Sequence, residues 1–480
     1  MKVDVDAELA RIKRKRQQRE GVTPKSNGKA KLPNGVELKD FSAFMPMHTY
    51  IYHPTREMWP ATSVNARVGP VLLTDEDGRP VLDDKGQKQK IPANAWLDRK
   101  SPVEQMTWAP GDPMLIKDRL VANGGWVRRD GVTCFNLYRP PILKQGDASK
   151  AEPWREHIIT IYGEESASHI VKYMAAKVQK PQEKINHALL LGGGQGIGKD
   201  TICEPLKYAV GPWNFEEVSP KQVSGRFNGF VKSVILRINE LRDLGDGNRF
   251  DFYEHMKVFT ASPPDVLRVD EKHVREYAVF NACGVIITTN YKTNGIYLPA
   301  EDRRHYVAWS NMTKENFDQS YWDNIWNWYD SGGRADVAAY LAELDISDFN
   351  PKTAPPKTDA FWAIVDANRS PEDSELADAL DRLGVERPGL DGGLVRPKAV
   401  TIDRVAQVAS GDFALWIKDP KNRRALPHRM EECGYSTVRN KNAKDGLWRI
   451  SDRRQSVYAQ TNLDLREQIA EAEDLVRRGY

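Results

Sequence analysis

The chain has 480 residues, with 70 Lys and Arg against 67 Asp and Glu and a formal net charge of +3. This length exceeds the reach of a single hydrophobic core and calls for two or three domains, while the near-neutral balance excludes a uniformly basic nucleic-acid coat. The four cysteines, Cys134, Cys203, Cys283 and Cys433, lie far apart and form no CxxC, which excludes a zinc ribbon or a disulfide framework.

Residues 1–40 carry 11 basic and 6 acidic side chains, so the positive charge is concentrated at the start. Residues 7–20 suit a short basic helix, and "GVTPKSNGKAKLPNG" then breaks it as a linker; this segment is either a solvated tail or a DNA-binding arm. The opening is too charged for a secretory signal and no apolar run approaches a membrane-spanning length, so a soluble protein of a reducing cytoplasm is expected. Residues 41–150 are rich in Pro, Gly, Trp and short alternating runs, predicting a small β-rich domain without a catalytic pattern. Within it "WVRRDGVTCFNLY" predicts a hairpin turning at Asp130–Gly131.

Trp154 to Lys180 has helical spacing and stops at Pro181. From His187 to about Ser310 the apolar runs "HALLLGG", "SVILRINE", "CGVIITTN" and "HYVAWS" alternate with helical or polar segments, the pattern of a parallel α/β sheet. This central domain is assigned to residues 151–350. Helical "YWDNIWNWYD", its tryptophans read as core packing rather than base-stacking platforms, and "RADVAAYLAEL" close it, and "FNPKTAPPKT" marks a boundary. Residues 360–480 predict three short helices, two strands around Lys444-Asp445-Gly446 and a terminal amphipathic helix, a winged-helix-like domain. Its basic cluster, which includes Arg439, Lys441 and Arg454, suits either duplex binding or a solvated face.

Gly193, Gly194, Gln195, Gly196, Ile197, Gly198 and Lys199 match GxxxxGK, a turn whose backbone N–H groups cradle phosphates while the lysine reaches the β and γ oxygens. An apolar strand precedes the turn and a helix can begin in "KDTICEPLKYAV", the context the motif needs. "SVILRINELRD" delivers Asn239 and Glu240 from a strand end, with Glu240 as general base for water. "GVIITTN" delivers Asn290, whose amide can orient that water. "AEDRRHYVAW" then supplies Arg303 and Arg304, one of them a finger for a neighbouring subunit's site; Arg304 is preferred.

The order of these elements resembles that of superfamily 3 helicases, and more closely the phage and poxvirus primase-helicase-like ATPases, from about Trp154 to Ser310. The resemblance implies an AAA+-like P-loop core, ATP and Mg²⁺ as ligands, single-stranded DNA as track, and a ring homo-oligomer such as a hexamer. It also implies replication of a phage or mobile element in a bacterial host cytoplasm; the alternative is a P-loop ATPase regulator or a nucleic-acid-binding scaffold without unwinding activity. In "PPDVLRVDEKHVREYAVFN", Asp265–Val269 and Arg275–Phe280 can pair as strands with Lys272 and His273 at the tip, matching the family's DNA-contacting hairpin; Lys257 matches another basic position. "VDVD" at Val3–Asp6 makes a poor primase metal site, so a primase would reside on a separate chain. Two residues depart from the pattern. Asp200 stands where a hydroxyl residue usually follows the lysine, and Asn239 where a carboxylate is common. Either these two exchange roles around magnesium, with Glu240 nearby, or Thr201 supplies the hydroxyl ligand one position later.

Overall fold

The computed structural model describes residues 35–75, 77–239, 246–292, 296–367, 371–386, 394–424 and 426–479. The basic start of the tail and Glu240 lie outside these residues. Two compact units are defined, one comprising residues up to 107 with 113–137, the other residues 108–112 with 138–480.

In the first unit an antiparallel run of Phe41–Phe44, Thr49–Tyr52 and Met58–Pro60 is joined in parallel by Pro102–Val103. Phe41, Ala43, Tyr50, Val64, Ala93 and Leu97 form its core. A second sheet carries a long hairpin, Leu115–Ala122 with Gly125–Asn136, and here the expected turn is displaced. The chain reverses at Asn123–Gly124, both at positive φ (52° and 84°), whereas Asp130–Gly131 sits inside the second strand opposite a register shift at Asp118. Asn-Gly is the stronger two-residue turn former because both residues tolerate the left-handed region; Asp-Gly instead makes the bulge, with Gly131 N–H donating to Asp118 Oδ1 at 2.8 Å.

The second unit is built on five parallel strands, β1 (Ala188–Gly193), β2 (Phe215–Val218), β3 (Ile235–Ile238), β6 (Gly284–Thr289) and β7 (His305–Ser310), in the order β2–β3–β6–β1–β7. The numbers between belong to a two-stranded antiparallel hairpin, β4 (Val266–Glu271) and β5 (Val274–Phe280). Every residue of β1 and of β6 is buried, which is why they read as unbroken apolar runs: helices cover both faces. β2 was not predicted, because "FEEV" buries only its two ends.

On one face Ala188, Leu190, Leu236, Ile238, Val285, Ile287 and Val307 pack against α3 (Asp246–Thr260) and α6 (Asp359–Ala367). On the other lies α1 (Glu152–Gln179), broken at Gly163 where φ is 76°; its His169 stacks on Tyr306 of β7 at 3.8 Å. Next to α1 sit α2 (Lys199–Val210) and α5 (Arg334–Glu343), preceded by α4 (Gln319–Trp328). Two wholly buried lysines tie the turn into β1. Lys177 Nζ donates to the carbonyls of Pro181, Glu183 and Ala282 at 2.6–2.9 Å, and Lys184 Nζ donates to that of Cys283 at 2.7 Å.

Among the described residues the C-terminal segment contains five α-helices, Pro371–Arg382, Ile402–Val408, Gly411–Trp416, Leu426–Glu432 and the expected terminal helix Leu465–Arg478, and a three-stranded antiparallel sheet. Tyr435–Val438 pairs with Val457–Gln460, which also pairs with Ala399–Thr401. The expected strands around Lys444-Asp445-Gly446 therefore do not pair with each other. Trp448–Ile450 turns back on Arg453–Gln455 through Ser451 and Asp452, both at positive φ. The boundary near residue 360 also moves: Phe361, Ile364 and Val365 belong to the core of the parallel sheet. Phe361→Ala should lower the denaturant midpoint of the unit holding the sheet, by about 3–5 kcal/mol in stability. An unchanged midpoint would place α6 outside that core.

Candidate nucleotide site

β1 runs directly into the glycine turn and α2, while β3 ends at Asn239 and β6 at Asn290. Because β1, β6 and β3 are neighbours and parallel, their ends open side by side into a cavity of about 730 Å³. Gln195, Gly196, Gly198, Lys199, Asp200 and Thr201 line it, and so do Asn239 and Asn290. Gly193, Gly194 and Ile197 form the back of the turn, with Ile197 fully buried.

Lys199 is 8% exposed and donates to three oxygens: Gly193 O at 2.8 Å, Gly194 O at 2.7 Å and Asn290 Oδ1 at 2.7 Å. Burial pulls its pKa down to about 8, opposed by Asp200 and reinforced by Arg237. Gly198, at φ 90°, has no room for a side chain; a Cβ would lie 2.5 Å from His157 Nε2 and 2.7 Å from Trp322 Cη2. Burial lowers the pKa of His157, so the ring is neutral and divides its roles. Nε2–H donates to Gly198 O (3.2 Å), leaving Nδ1 to accept from the Tyr321 hydroxyl (2.7 Å).

Sequence reasoning missed Arg237. It occupies the middle of β3, is 7% exposed, and donates to the Asp200 carboxylate, with Glu217 3.9 Å away on β2. The signal was present: a cation inside an apolar strand has to find an anion. The Asp200 carboxylate is therefore engaged by a guanidinium. Asn239 Oδ1, by contrast, is buried without a hydrogen-bond partner among the described residues, and the Thr201 side chain is buried on the same cavity wall. No group of three or more His, Cys, Asp and Glu is gathered for a metal among the described residues. A neutral amide oxygen and a hydroxyl beside the glycine turn nevertheless suit Mg²⁺, which takes few protein ligands. The tryptophans of α4 depart from expectation only in part: Trp322 packs against His157, Phe317 and Tyr321 while also lining the cavity, and Trp326 lines it with 40% of its surface exposed.

The remaining predicted residues lie elsewhere. Arg304 precedes β7, where its carbonyl accepts from Ala188 N at the start of β1, the opposite end of that strand from the glycine turn and roughly 15–20 Å away. Asp302 anchors this corner through the Tyr253 hydroxyl and the Arg304 amide (both 2.9 Å) and His305 Nδ1 (3.2 Å). Burial would raise its pKa, but these partners hold it down to about 2. Arg303 is exposed and Arg304 half-buried. Lys272 and His273 form the two-residue tip between β4 and β5, both exposed, with His273 at φ 65°. Beside them Asn228 bonds the backbone of Arg268 and Asp270, and Arg226 pairs with Asp270 at 2.9 Å, which leaves Phe227 49% exposed next to the hairpin. Lys257 is on α3, paired with Glu254 and 4.8 Å above the Tyr253 ring.

A family model described as a family of unknown function (DUF5906) matches residues 190–304, which contain the glycine turn, the hairpin and both arginines. No curated protein matches the chain. Two structures of the NrS-1 C-terminal region superpose with TM-scores of 0.58 and 0.56 at 15% and 16% identity, covering 88% of this chain and 96% and 97% of theirs; the fold is shared. A JCV helicase structure gives a TM-score of 0.29 at 10% identity over 48% of this chain and 63% of that one, too little to define a common fold. Among the described residues no helix is long and apolar enough to cross a membrane.

With the cation of Lys199 as the phosphate-binding form and its pKa near 8, triphosphate affinity should be level below pH 8 and fall about tenfold per unit above it. Calorimetric titration of inorganic tripolyphosphate between pH 7 and 9.5 checks this, and in Lys199→Arg the decline should disappear.

Proposed function

We propose that the chain is a P-loop ATPase of AAA+-like architecture that acts as a helicase on single-stranded DNA during replication of a phage or mobile element. The observation that carries this reading is the contact of Lys199 with Asn290 at 2.7 Å, which joins a phosphate-binding lysine to a strand-end amide 91 residues away. Because β6 lies between β1 and β3, that amide stands between the phosphate loop and Asn239. Backbone N–H groups of the turn and of the start of α2 would bind the phosphates, Lys199 would exchange its carbonyl partners for phosphate oxygens, and Asn290 would orient water for Glu240. Thr201 and Asn239 are the proposed magnesium ligands, Asp200 being held by Arg237. The metal would neutralise charge on the β and γ oxygens.

Arg303 and Arg304 are remote from their own chain's cavity, so a finger there acts on the next subunit of a ring, a hexamer in this reading. Exposure favours Arg303 for that role and Arg304 for the corner at Asp302. The hairpin tip supplies a phosphate contact in Lys272, with Phe227 beside it as a surface on which a base can stack. The C-terminal segment is read as winged-helix-like, with Ala399–Thr401 before three short helices and its two partner strands, Tyr435–Val438 and Val457–Gln460, after them. A phosphotransferase would use the same cavity but has no need of the hairpin or the remote arginines.

Lys199→Ala should abolish ATP turnover, and Lys272→Ala with His273→Ala should abolish its stimulation by single-stranded DNA together with unwinding. A steady-state phosphate-release assay with and without oligonucleotide reads the first two, and full stimulation in the double variant removes the hairpin from the mechanism. Arg303→Ala should lower turnover without weakening ATP binding, and added Lys199→Ala protein, which retains its arginines, should restore part of it through mixed rings. Absence of rescue would mean that the arginine acts within its own chain.

A further inference from the structure

The cavity has one wall that phosphate chemistry does not explain. Trp322 and Trp326 stand one helical turn apart on α4 and both border it. The edge of Trp322 rests over Gly198, at the last residue of the glycine turn. Trp326 lies further along α2: its ring is 5.8 Å from the guanidinium of Arg334, and Arg334 Nε donates to Glu204 Oε1 at 3.0 Å. The two indoles thus follow α2 outward from the phosphate cradle, over its first two turns. Trp326 remains 40% exposed, an apolar surface of a size that a protein interior would normally cover.

We propose that this wall is the nucleobase platform of the site, and that it selects purine nucleoside triphosphates by the face of the base. The inference rests on the phosphate-binding reading above. With the phosphates on the turn and the first amides of α2, the nucleoside leaves the cradle along that helix and meets the indoles. Side chains one turn apart on a helix are about 5–6 Å apart at Cβ, so Trp322, packed against Phe317 at 5.3 Å, closes the cavity beside the turn while Trp326 offers the exposed indole, of which a purine's fused rings cover more than a pyrimidine's single ring. Beside Trp326, Glu204 is committed to Arg334, whose Nη1 is held by Asp330 at 2.8 Å. Recognition therefore comes from stacking, which every purine satisfies, and not from hydrogen bonds to a base edge. ATP and GTP bind alike, and pyrimidine nucleotides bind more weakly.

The test is calorimetric titration of ATP, GTP, CTP and inorganic tripolyphosphate into the wild-type protein, Trp326→Ala and Trp326→Phe. Wild-type affinity should be equal for ATP and GTP, lower for CTP and lowest for tripolyphosphate. Trp326→Ala should weaken ATP and GTP by about tenfold or more and leave tripolyphosphate unchanged, and Trp326→Phe should keep most of the affinity. Equal losses for ATP and tripolyphosphate in Trp326→Ala, or no loss for ATP, would overturn the platform. Wild-type protein that binds tripolyphosphate as tightly as ATP would also overturn it while leaving the phosphate reading in place. Protein that binds neither would remove both.

Discussion

The organising constraint is the burial of one cation at the mouth of a parallel sheet. The ammonium of Lys199 is removed from water and must be satisfied by oxygens, and the fold supplies three: two carbonyls of its own glycine turn and the amide of Asn290. That requirement dictates that β6 ends next to β1 and that the turn folds back over its own lysine. Partial desolvation lowers the lysine's pKa, so its hold on the proton is poised where a polyanion, by adding negative charge, would strengthen it.

A second buried cation completes the balance. Arg237 points into the same cavity from β3, and the anions around it, Asp200 and Glu217, come from α2 and β2. Asp200 at the first turn of α2 also faces the positive end of the helix, a favourable place for a carboxylate. The unusual residue after the lysine is thereby accounted for by charge pairing within the protein, and the Thr201 hydroxyl and Asn239 amide next to it are left to line the cavity. A polar cavity organised by two cations is well suited to a polyphosphate, and its tryptophan wall gives it an apolar side as well.

The parts of the structure legible in the sequence are those governed by local pattern. Strands buried on both faces, such as "ALLLGG" and "GVIITT", announce themselves as short apolar runs, and alternating "VLRVDE" and "VREYAVF" announce a hairpin with two residues between them. Where two local signals competed, pattern was insufficient. Asn-Gly and Asp-Gly lie seven residues apart in the first unit's hairpin, and only the pairing of the strands shows which of them reverses the chain and which makes a bulge. Likewise, α6 looks like the start of the last segment until its apolar face is seen to cover the sheet.

What the sequence by itself determined was the chemistry available: a glycine-rich turn ending in a lysine after a buried strand, strand-end amides at Asn239 and Asn290, a basic hairpin tip, and a pair of arginines before the last strand. These follow from spacing along one chain, which backbone geometry converts directly into local structure. Only the tertiary structure decided how those parts meet. Glu217 stands beside Arg237 because β2 and β3 pair in parallel in that register, and Asp200 reaches the same guanidinium across 37 residues. Asn290 meets Lys199 because β6 is inserted next to β1, and the arginines are set far from that cavity because β7 runs parallel to β1 and begins at its opposite end. Strand order is a property of how the whole core packs, and no window of sequence contains it.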